Sequence, residues 1–184
     1  MNKIRHFGLL AGVCAGLAAF GAHAGEWNVA DSSTVKFTFI QQGSRYDGRF
    51  EEFDATIDFD PNDPASGSIV GVVQTASVKT RDFDRDATLQ DPDWFDSANN
   101  PEARFESESI EKTADGFVAN GQLTLKGKTN PAAMSFTWEP SDAGAHFVGK
   151  LTINRFDYNV GEGWNDTSFV GQDVDVEVDL QLTQ

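Results

Sequence analysis

The sequence predicts an all-β protein with antiparallel strands, and three observations point to this fold class. Apolar residues recur at every second position over most of the chain, which is the period of a strand with one buried face. Short turn sequences rich in Asp, Asn, Gly and Pro separate these runs, as between antiparallel neighbours. One-sided strands must bury their apolar faces together, which both a sandwich and a closed barrel achieve. The length of the strands favours the barrel.

The alternating runs are the predicted strands. Their inward positions, in chain order, are Val35, Phe37 and Phe39; Phe53, Ala55, Ile57 and Phe59; Phe117, Ala119, Gly121, Leu123 and Leu125; Met134, Phe136 and Trp138; Phe147, Gly149, Leu151 and Ile153; and Val174, Val176, Val178, Leu180 and Leu182. The run from Ile69 to Val78 is apolar almost throughout and predicts a more deeply buried strand.

One segment breaks the alternation and predicts one or two short helices near residues 82–98. Asp82 is a suitable N-cap, and two further aspartates follow in the first turn. Asp91 repeats this pattern, with Pro92 at the first helical position. The helices interrupt the sheet.

Residues 1–24 are predicted to be a secretory signal peptide, which leaves residues 25–184 as one barrel domain. Lys3 and Arg5 form a positive start, residues 7–20 are an apolar run, and residues 22–24 form an A-x-A cleavage site ending at Ala24. The apolar run is too short to cross a bilayer. We therefore expect a periplasmic protein that does not span the membrane.

The composition excludes several classes of function. Cys14 lies in the predicted signal peptide, so the remaining chain has no thiolate nucleophile, disulfide or Cys-ligated metal site. The one histidine outside it, His146, lies in a strand-like run without a serine elbow nearby, so no catalytic triad is predicted. A formal charge of −15 disfavours nucleic acid and anionic membranes as partners. No metal is predicted either, because the calcium-like segment 82–93 lacks the required Gly and Glu.

Small residues interrupt several predicted inner faces, namely Ala55, Gly71, Gly121 and Gly149. They leave room for a ligand, but glycine in a strand also relieves curvature or marks a bulge. The high Phe content likewise suits either a large core or an apolar sleeve for a lipid. Both interpretations stay open, because a barrel of about eight strands accommodates packed side chains or one small ligand.

Seven short motifs carry a family resemblance. They are Trp27-Asn28-Val29-Ala30-Asp31-Ser32, Ser77-Val78-Lys79-Thr80, Arg85-Asp86-Ala87-Thr88-Leu89, Asp93-Trp94-Phe95-Asp96, Asn100-Pro101-Glu102-Ala103-Arg104-Phe105-Glu106-Ser107, Gly121-Gln122-Leu123-Thr124-Leu125-Lys126-Gly127-Lys128-Thr129 and Ile153-Asn154-Arg155-Phe156-Asp157-Tyr158. In this order they resemble motifs of the YceI family, over essentially the whole predicted mature chain. Two departures are Thr88 and Asn100, which stand where the family has His and Tyr.

The resemblance implies an extended, lipocalin-like antiparallel barrel of about eight strands in the bacterial periplasm. It implies a binding protein rather than an enzyme, with a polyisoprenoid chain such as a polyprenyl phosphate or an isoprenoid quinone inside the barrel. No cofactor is implied. A b-type cytochrome is the expected protein partner by family association, and a homodimer is the assembly we consider.

Under this hypothesis, inward positions form the ligand-binding lining. The predicted lining residues are Phe37, Phe39, Phe53, Ile57, Gly121, Leu123, Phe136, Phe147, Gly149, Leu151, Val176 and Val178. Arg85 and Arg155 are the candidate head-group contacts, because a guanidinium offers a planar fork of donors. The alternative for each arginine is pairing with a carboxylate that holds a helix or loop.

Two other functions are compatible with parts of the sequence. One is an exported acidic interaction or stress protein whose barrel is packed solid and holds no lipid. The other is a hydrolase that uses paired acids such as Asp82 and Asp86. The hydrolase is disfavoured because helix starts commonly carry acids for capping alone, and no nucleophile or base accompanies these.

Overall fold

A computed structural model describes residues 27–142 and 144–183, so the predicted signal peptide lies outside the described residues. Within them the strands are β1 (Asn28–Val29), β2 (Thr34–Gln41), β3 (Ser44–Phe50), β4 (Phe53–Asp58), β5 (Ser68–Gln74), β6 (Val78–Lys79), β7 (Glu102–Lys112), β8 (Phe117–Leu125), β9 (Lys128–Ser141), β10 (Gly144–Asn154) and β11 (Asp173–Thr183). One α-helix, α1, spans Phe83–Thr88, and 3-10 helices span Pro64–Ser66, Thr75–Ser77 and Arg155–Tyr158. No described helix has the length and apolar character needed to cross a bilayer.

All described strands belong to one curled antiparallel sheet, which confirms the predicted fold class. Its order is β4-β5-β7-β8-β9-β10-β11-β2-β3-β6, with β1 paired to β11. The chain joins β4, which is first in this order, to β3, which is last but one, because only Glu51 and Glu52 separate the two strands. One long kinked strand thus pairs with β2 through its first half and with β5 through its second half. Counted this way, eight long strands of the described chain surround the interior.

Only the first of the two helix signals forms a helix. Asp82 caps α1, since its Oδ1 accepts a hydrogen bond from the Arg85 N–H at 3.1 Å. Residues 91–99, by contrast, form a series of turns. The Phe95 N–H donates back to the Leu89 carbonyl at 3.0 Å, so the chain folds against the end of α1 and does not start a second helix.

The sequence does not predict β3, because Ser44–Phe50 is polar and shows no alternation. Its most buried position is Gly48, where an added Cβ would lie only 2.2 Å from Cζ of Phe37 on the neighbouring β2. The phenyl ring of β2 therefore covers this part of β3. β3 therefore needs few apolar side chains of its own, because a ring of the adjacent strand supplies the apolar surface at this position.

Aromatic rings fill the end of the barrel opposite α1. The Phe136 ring stacks on Phe147 and Phe117, with centroid distances of 5.0 and 5.3 Å. The Phe59 ring meets it edge-on at 5.2 Å. Phe136 is 3% exposed and Phe147 is 1% exposed. A second cluster, which includes Phe37, Leu89 and Phe95, lies under α1 at the other end. We call the group of Phe59, Phe117, Phe136 and Phe147 the aromatic cluster.

Removing a ring from the aromatic cluster is expected to destabilise the fold. Phe136→Ala should lower the free energy of unfolding by about 3–5 kcal/mol, because it leaves a cavity among rings that relax only partly. Phe83→Ala is the matched control: Phe83 is 86% exposed, and its loss should change stability by less than about 0.5 kcal/mol. Urea unfolding followed by circular dichroism measures both. Equal effects would contradict this account of the core.

Candidate functional site

The barrel contains a cavity of about 530 Å³ that members of both core clusters line. Inward side chains of the long strands form its walls, and α1 and residues 155–171 cover it. Its volume lies within the range of about 300–1,000 Å³ that is common for small-molecule sites. Exposed residues that border the cavity mark where it reaches the surface: Asp82, Asp84, Thr88 and Trp164 at α1 and the loop after β10, and Asp54 on β4. We call the place formed by the first four residues the opening.

Most of the predicted lining residues lie together on this cavity. Those that border it are Phe37, Phe39, Phe53, Ile57, Leu123, Phe147, Leu151, Val176 and Val178. Their alternation along the strands places them on the inner face, as the period of two requires. Their contact with a ligand stays a prediction.

The other three predicted lining residues, Gly121, Phe136 and Gly149, do not border the cavity. A Cβ at Gly121 would lie 2.1 Å from the Glu106 carbonyl oxygen of the neighbouring strand. At Gly149 it would lie 2.8 Å from Sδ of Met134. Phe136 belongs to the aromatic cluster. The two glycines therefore permit close packing and leave no space for a ligand.

Gly71 is the glycine that does leave space. A Cβ built there would meet no atom within 4 Å, and the residue borders the cavity. Its cross-strand partners are Ala55 on β4 and Phe105 on β7. Two small residues side by side thus widen the interior at this level.

Arg85 lies at the opening. Its guanidinium carbon is 4.6 Å from the centroid of the Tyr46 ring and 5.8 Å from that of Phe39, distances typical of cation–π contacts. Its Nη2 is 3.6 Å from Oδ2 of Asp82. Arg85 borders the cavity, so it is positioned to meet a polar group at the opening.

Arg155 has a structural role instead. Its side chain is 2% exposed, and its N–H groups donate to five backbone carbonyls of the loop that follows it. The acceptors are Val160, Gly161, Trp164, Val170 and Gly171. A guanidinium has five N–H donors, so none is left for a head group. Burial lowers the pKa of the Arg155 guanidinium. The structure therefore favours a structural role for Arg155 over the predicted head-group contact.

Two other groups whose pKa departs from its ordinary value, Asp166 and Tyr158, lie in the same loop region. The Asp166 carboxylate accepts hydrogen bonds from the hydroxyl and the N–H of Ser168, at 2.6 and 2.9 Å, and these bonds lower its pKa. Burial, together with the carboxylate of Asp157, raises the pKa of the Tyr158 phenol. The bonds of Asp166 close a turn in the cover of the cavity.

The acids of the calcium-like segment hold α1 in place. Asp86 is buried and accepts hydrogen bonds from the N–H and the hydroxyl of Thr80, at 2.6 and 2.7 Å. Among residues 27–142 and 144–183, no group of His, Cys, Asp or Glu has an arrangement suited to a metal ion. Thr88, where the resemblance expects His, borders the cavity and donates its hydroxyl to the Asp84 carbonyl at 2.8 Å.

Several residues of the cover are not predicted as cavity lining, because they lack a periodic signal in the sequence. Leu89, Trp94, Trp164 and Phe169 all border the cavity. They lie in segments without alternation, where no period marks an inner face. The one available signal is the presence of large apolar residues in otherwise polar stretches.

The fold and the enclosed apolar cavity define a lipocalin-like β-barrel. The family model described as YceI-like domain matches residues 27–182, and the chain belongs to this family. It is 30% identical over 145 residues to Protein YceI of Escherichia coli O17:K52:H18, covering 74% of this chain and 73% of that relative.

Solved structures show the same architecture. Burkholderia cenocepacia BcnA is similar with a TM-score of 0.80 and 32% identity, over 85% of this chain and 100% of that one. A polyisoprenoid binding domain from Saccharophagus degradans is similar with a TM-score of 0.62 and 16% identity, over 86% of this chain and 97% of that one. At 16% identity, the likeness to the Saccharophagus degradans domain concerns the fold alone.

A glycine pair distinguishes packed from empty inner positions. Gly121→Ala should lower the free energy of unfolding by about 1–3 kcal/mol, because the new methyl group overlaps the neighbouring backbone. Gly71→Ala should leave stability unchanged or raise it by up to about 1 kcal/mol, because the methyl group meets open space and the unfolded chain loses entropy. Denaturant unfolding of the two variants provides the measurement. A larger loss at Gly71 would show that its side of the barrel is not empty.

Replacement of the buried guanidinium tests the anchoring of the cover. Arg155→Lys should lower the free energy of unfolding by at least about 2 kcal/mol, because an ammonium cannot satisfy five buried carbonyls. Arg85→Lys, at a partly exposed ion pair, should cost less than about 1 kcal/mol. Thermal and urea unfolding compare the two variants. Similar stability for both would remove the structural role of Arg155.

Proposed function

We propose that the protein is an exported, periplasmic carrier that holds one isoprenoid lipid with a neutral head group in its barrel. The observation that carries the proposal is the apolar cavity of about 530 Å³, which lies beside the aromatic cluster and reaches the surface at the opening beside α1. An opening beside a polar helix suits a ligand with one apolar and one polar end.

The relatives support this class of ligand at the level of the family. The chain belongs to the YceI family, and its fold is shared with a domain from Saccharophagus degradans that is described as polyisoprenoid-binding. Both support a binding protein rather than an enzyme. A quinone ligand would also agree with the b-type cytochrome partner that the sequence resemblance implies.

The tail supplies the affinity in this proposal. Burial of apolar surface contributes about 0.8 kcal/mol per methylene before the costs of binding are subtracted. For large ligands the net gain is only about 0.3 kcal/mol per heavy atom. A cavity of this size accommodates a short isoprenoid chain or one end of a longer chain, and affinity should rise with tail length until the cavity is full.

Charge at the opening favours a neutral head group. Asp82 and Asp84 border the opening together with Arg85, and Asp82 is already paired with that arginine. Arg155 offers no free donor. The whole chain carries a formal charge of −15. A pyrophosphate head would meet repulsion there, whereas a quinone or an alcohol would not.

The alternative of a solid-packed interaction protein predicts an interior without a cavity. The space beside Gly71 and Ala55 argues against it, because no described side chain fills it. The acidic surface that motivated this alternative stays available to partners in either case.

Filling the cavity should weaken ligand binding without damage to the fold. Gly71→Phe places a ring where an added Cβ meets no atom within 4 Å. It should raise the Kd for a ubiquinone with a short isoprenoid tail at least about tenfold, a difference of about 1.4 kcal/mol. Thr56→Phe, on the outer face of the adjacent strand, is the matched control and should bind like the wild type. Quenching of tryptophan fluorescence on titration measures the Kd.

Two results would contradict the proposal. One is a wild-type protein that takes up no isoprenoid probe in this titration. The other is a Gly71→Phe variant that binds as tightly as the wild type, which would place the ligand elsewhere. Geranylgeranyl pyrophosphate serves as the anionic comparison and should bind more weakly than the quinone.

A further inference from the structure

The exposed apolar residues of this protein lie around the opening. In the part of the chain that the structure describes, the large apolar side chains that are exposed are Ile40, Tyr46, Phe83 and Trp164. They belong to the end of β2, the start of β3, α1 and the loop after β10. These are the segments that meet at the opening. We call the four residues the apolar rim.

Contacts between these segments show that the rim is continuous. Tyr46 lies 4.6 Å from the guanidinium carbon of Arg85 and thereby joins β3 to α1. The Trp164 ring stacks on Phe169 at 5.3 Å. The Phe169 carbonyl accepts a hydrogen bond of 2.8 Å from the N–H of Gln42, in the turn between β2 and β3. The loop, the turn and the helix therefore form one edge of the barrel.

Phe83 is the most exposed member of the rim, at 86%. It is the first residue of α1 and lies between Asp82 and Asp84, both of which border the cavity. Phe83 itself does not border the cavity. Because this phenyl ring is exposed to water, its burial against a partner at the opening would lower the free energy.

The chemistry of the rim fits a lipid surface. Tyr and Trp combine an apolar body with a polar tip and are enriched at membrane interfaces. Charges on the rim segments are mixed with acids in slight excess, namely Asp47, Asp82, Asp84, Glu162 and Asp166 against Arg45, Arg81 and Arg85. Such a rim is repelled by anionic lipids. A second copy docked rim to rim about a two-fold axis would also bring like charges together.

We propose that the apolar rim docks on a zwitterionic lipid bilayer, so that the opening faces the lipid while an isoprenoid enters or leaves. The proposal rests on the proposed carrier function, because docking at the opening matters only if the cavity exchanges a lipid. It adds the surface through which that exchange takes place. The site of contact is the rim, whereas the strongly acidic remainder of the barrel stays in water.

Flotation with phosphatidylcholine vesicles tests the docking. The wild type should float with the vesicles, and Phe83→Asp should reduce the vesicle association constant about tenfold because an inserted ring is replaced by a charge. Aspartate at the start of a helix is favourable, so this variant should fold. Thr56→Asp adds the same charge on the outer face of β4, away from the rim, and should float like the wild type.

Other measurements separate the lipid surface from other partners. Vesicles with half of their phosphatidylcholine replaced by phosphatidylglycerol should bind the wild type more weakly at low salt, because of the acidic rim charges. Stronger binding to the anionic vesicles would overturn the proposal. So would sedimentation showing a wild-type dimer that Phe83→Asp converts to a monomer, since the rim would then be a subunit interface.

The docking proposal and the carrier proposal can be tested separately. Phe83→Asp should bind the short-tailed ubiquinone in solution with unchanged Kd, but should take it up from vesicles about tenfold more slowly. Gly71→Phe should float normally and bind the quinone at least about tenfold more weakly. If the wild type binds quinone but neither floats nor depends on Phe83 for uptake, the docking is wrong and the carrier function stands. If it floats but binds no isoprenoid, the carrier function is wrong.

Discussion

Burial of one face of a curled sheet is the constraint on which the structure depends. Inward apolar residues on the eight long strands must leave water together, and curling the sheet until β4 follows β3 achieves this. Aromatic rings pack around Phe136 and Phe147 at one end of the interior, and a second cluster with Phe37 and Phe95 lies under α1 at the other. The inner positions that border the cavity include Gly71 and Ala55, which are too small to fill the space beside them. The cavity is therefore a consequence of side-chain size at a few positions of an otherwise regular pattern.

Polar contacts hold the cover over the cavity in place, whereas the walls are held by apolar packing. Arg155 is a buried guanidinium whose donors are satisfied by carbonyls of its own loop, so its charge is solvated by peptide dipoles. On the other side, Asp86 attaches α1 to Thr80, and Asp82 caps the helix. Two irregular segments thus keep a defined shape above an apolar space, although neither has an extensive core of its own.

The opening combines features that are separated elsewhere in the molecule. The barrel wall is acidic outside and apolar inside, as the alternation in β11 illustrates. At the rim, exposed rings such as Phe83 lie beside carboxylates and Arg85. The proposed neutral head group and the proposed zwitterionic bilayer follow from the same charge distribution, since excess acid at one edge disfavours anions of either kind.

The sequence by itself determined the all-β class, the strands with clear alternation, the N-cap at Asp82 and the family resemblance, because period, turn chemistry and capping are local. Only the tertiary structure decided which inner positions face empty space. Gly71 and Gly121 look equivalent in the sequence, yet a neighbouring backbone occupies the space beside one and nothing occupies the space beside the other. Arg85 and Arg155 likewise differ only in the partners that folding places around them. Contacts between residues far apart in the chain decide such roles, and no local pattern records those contacts.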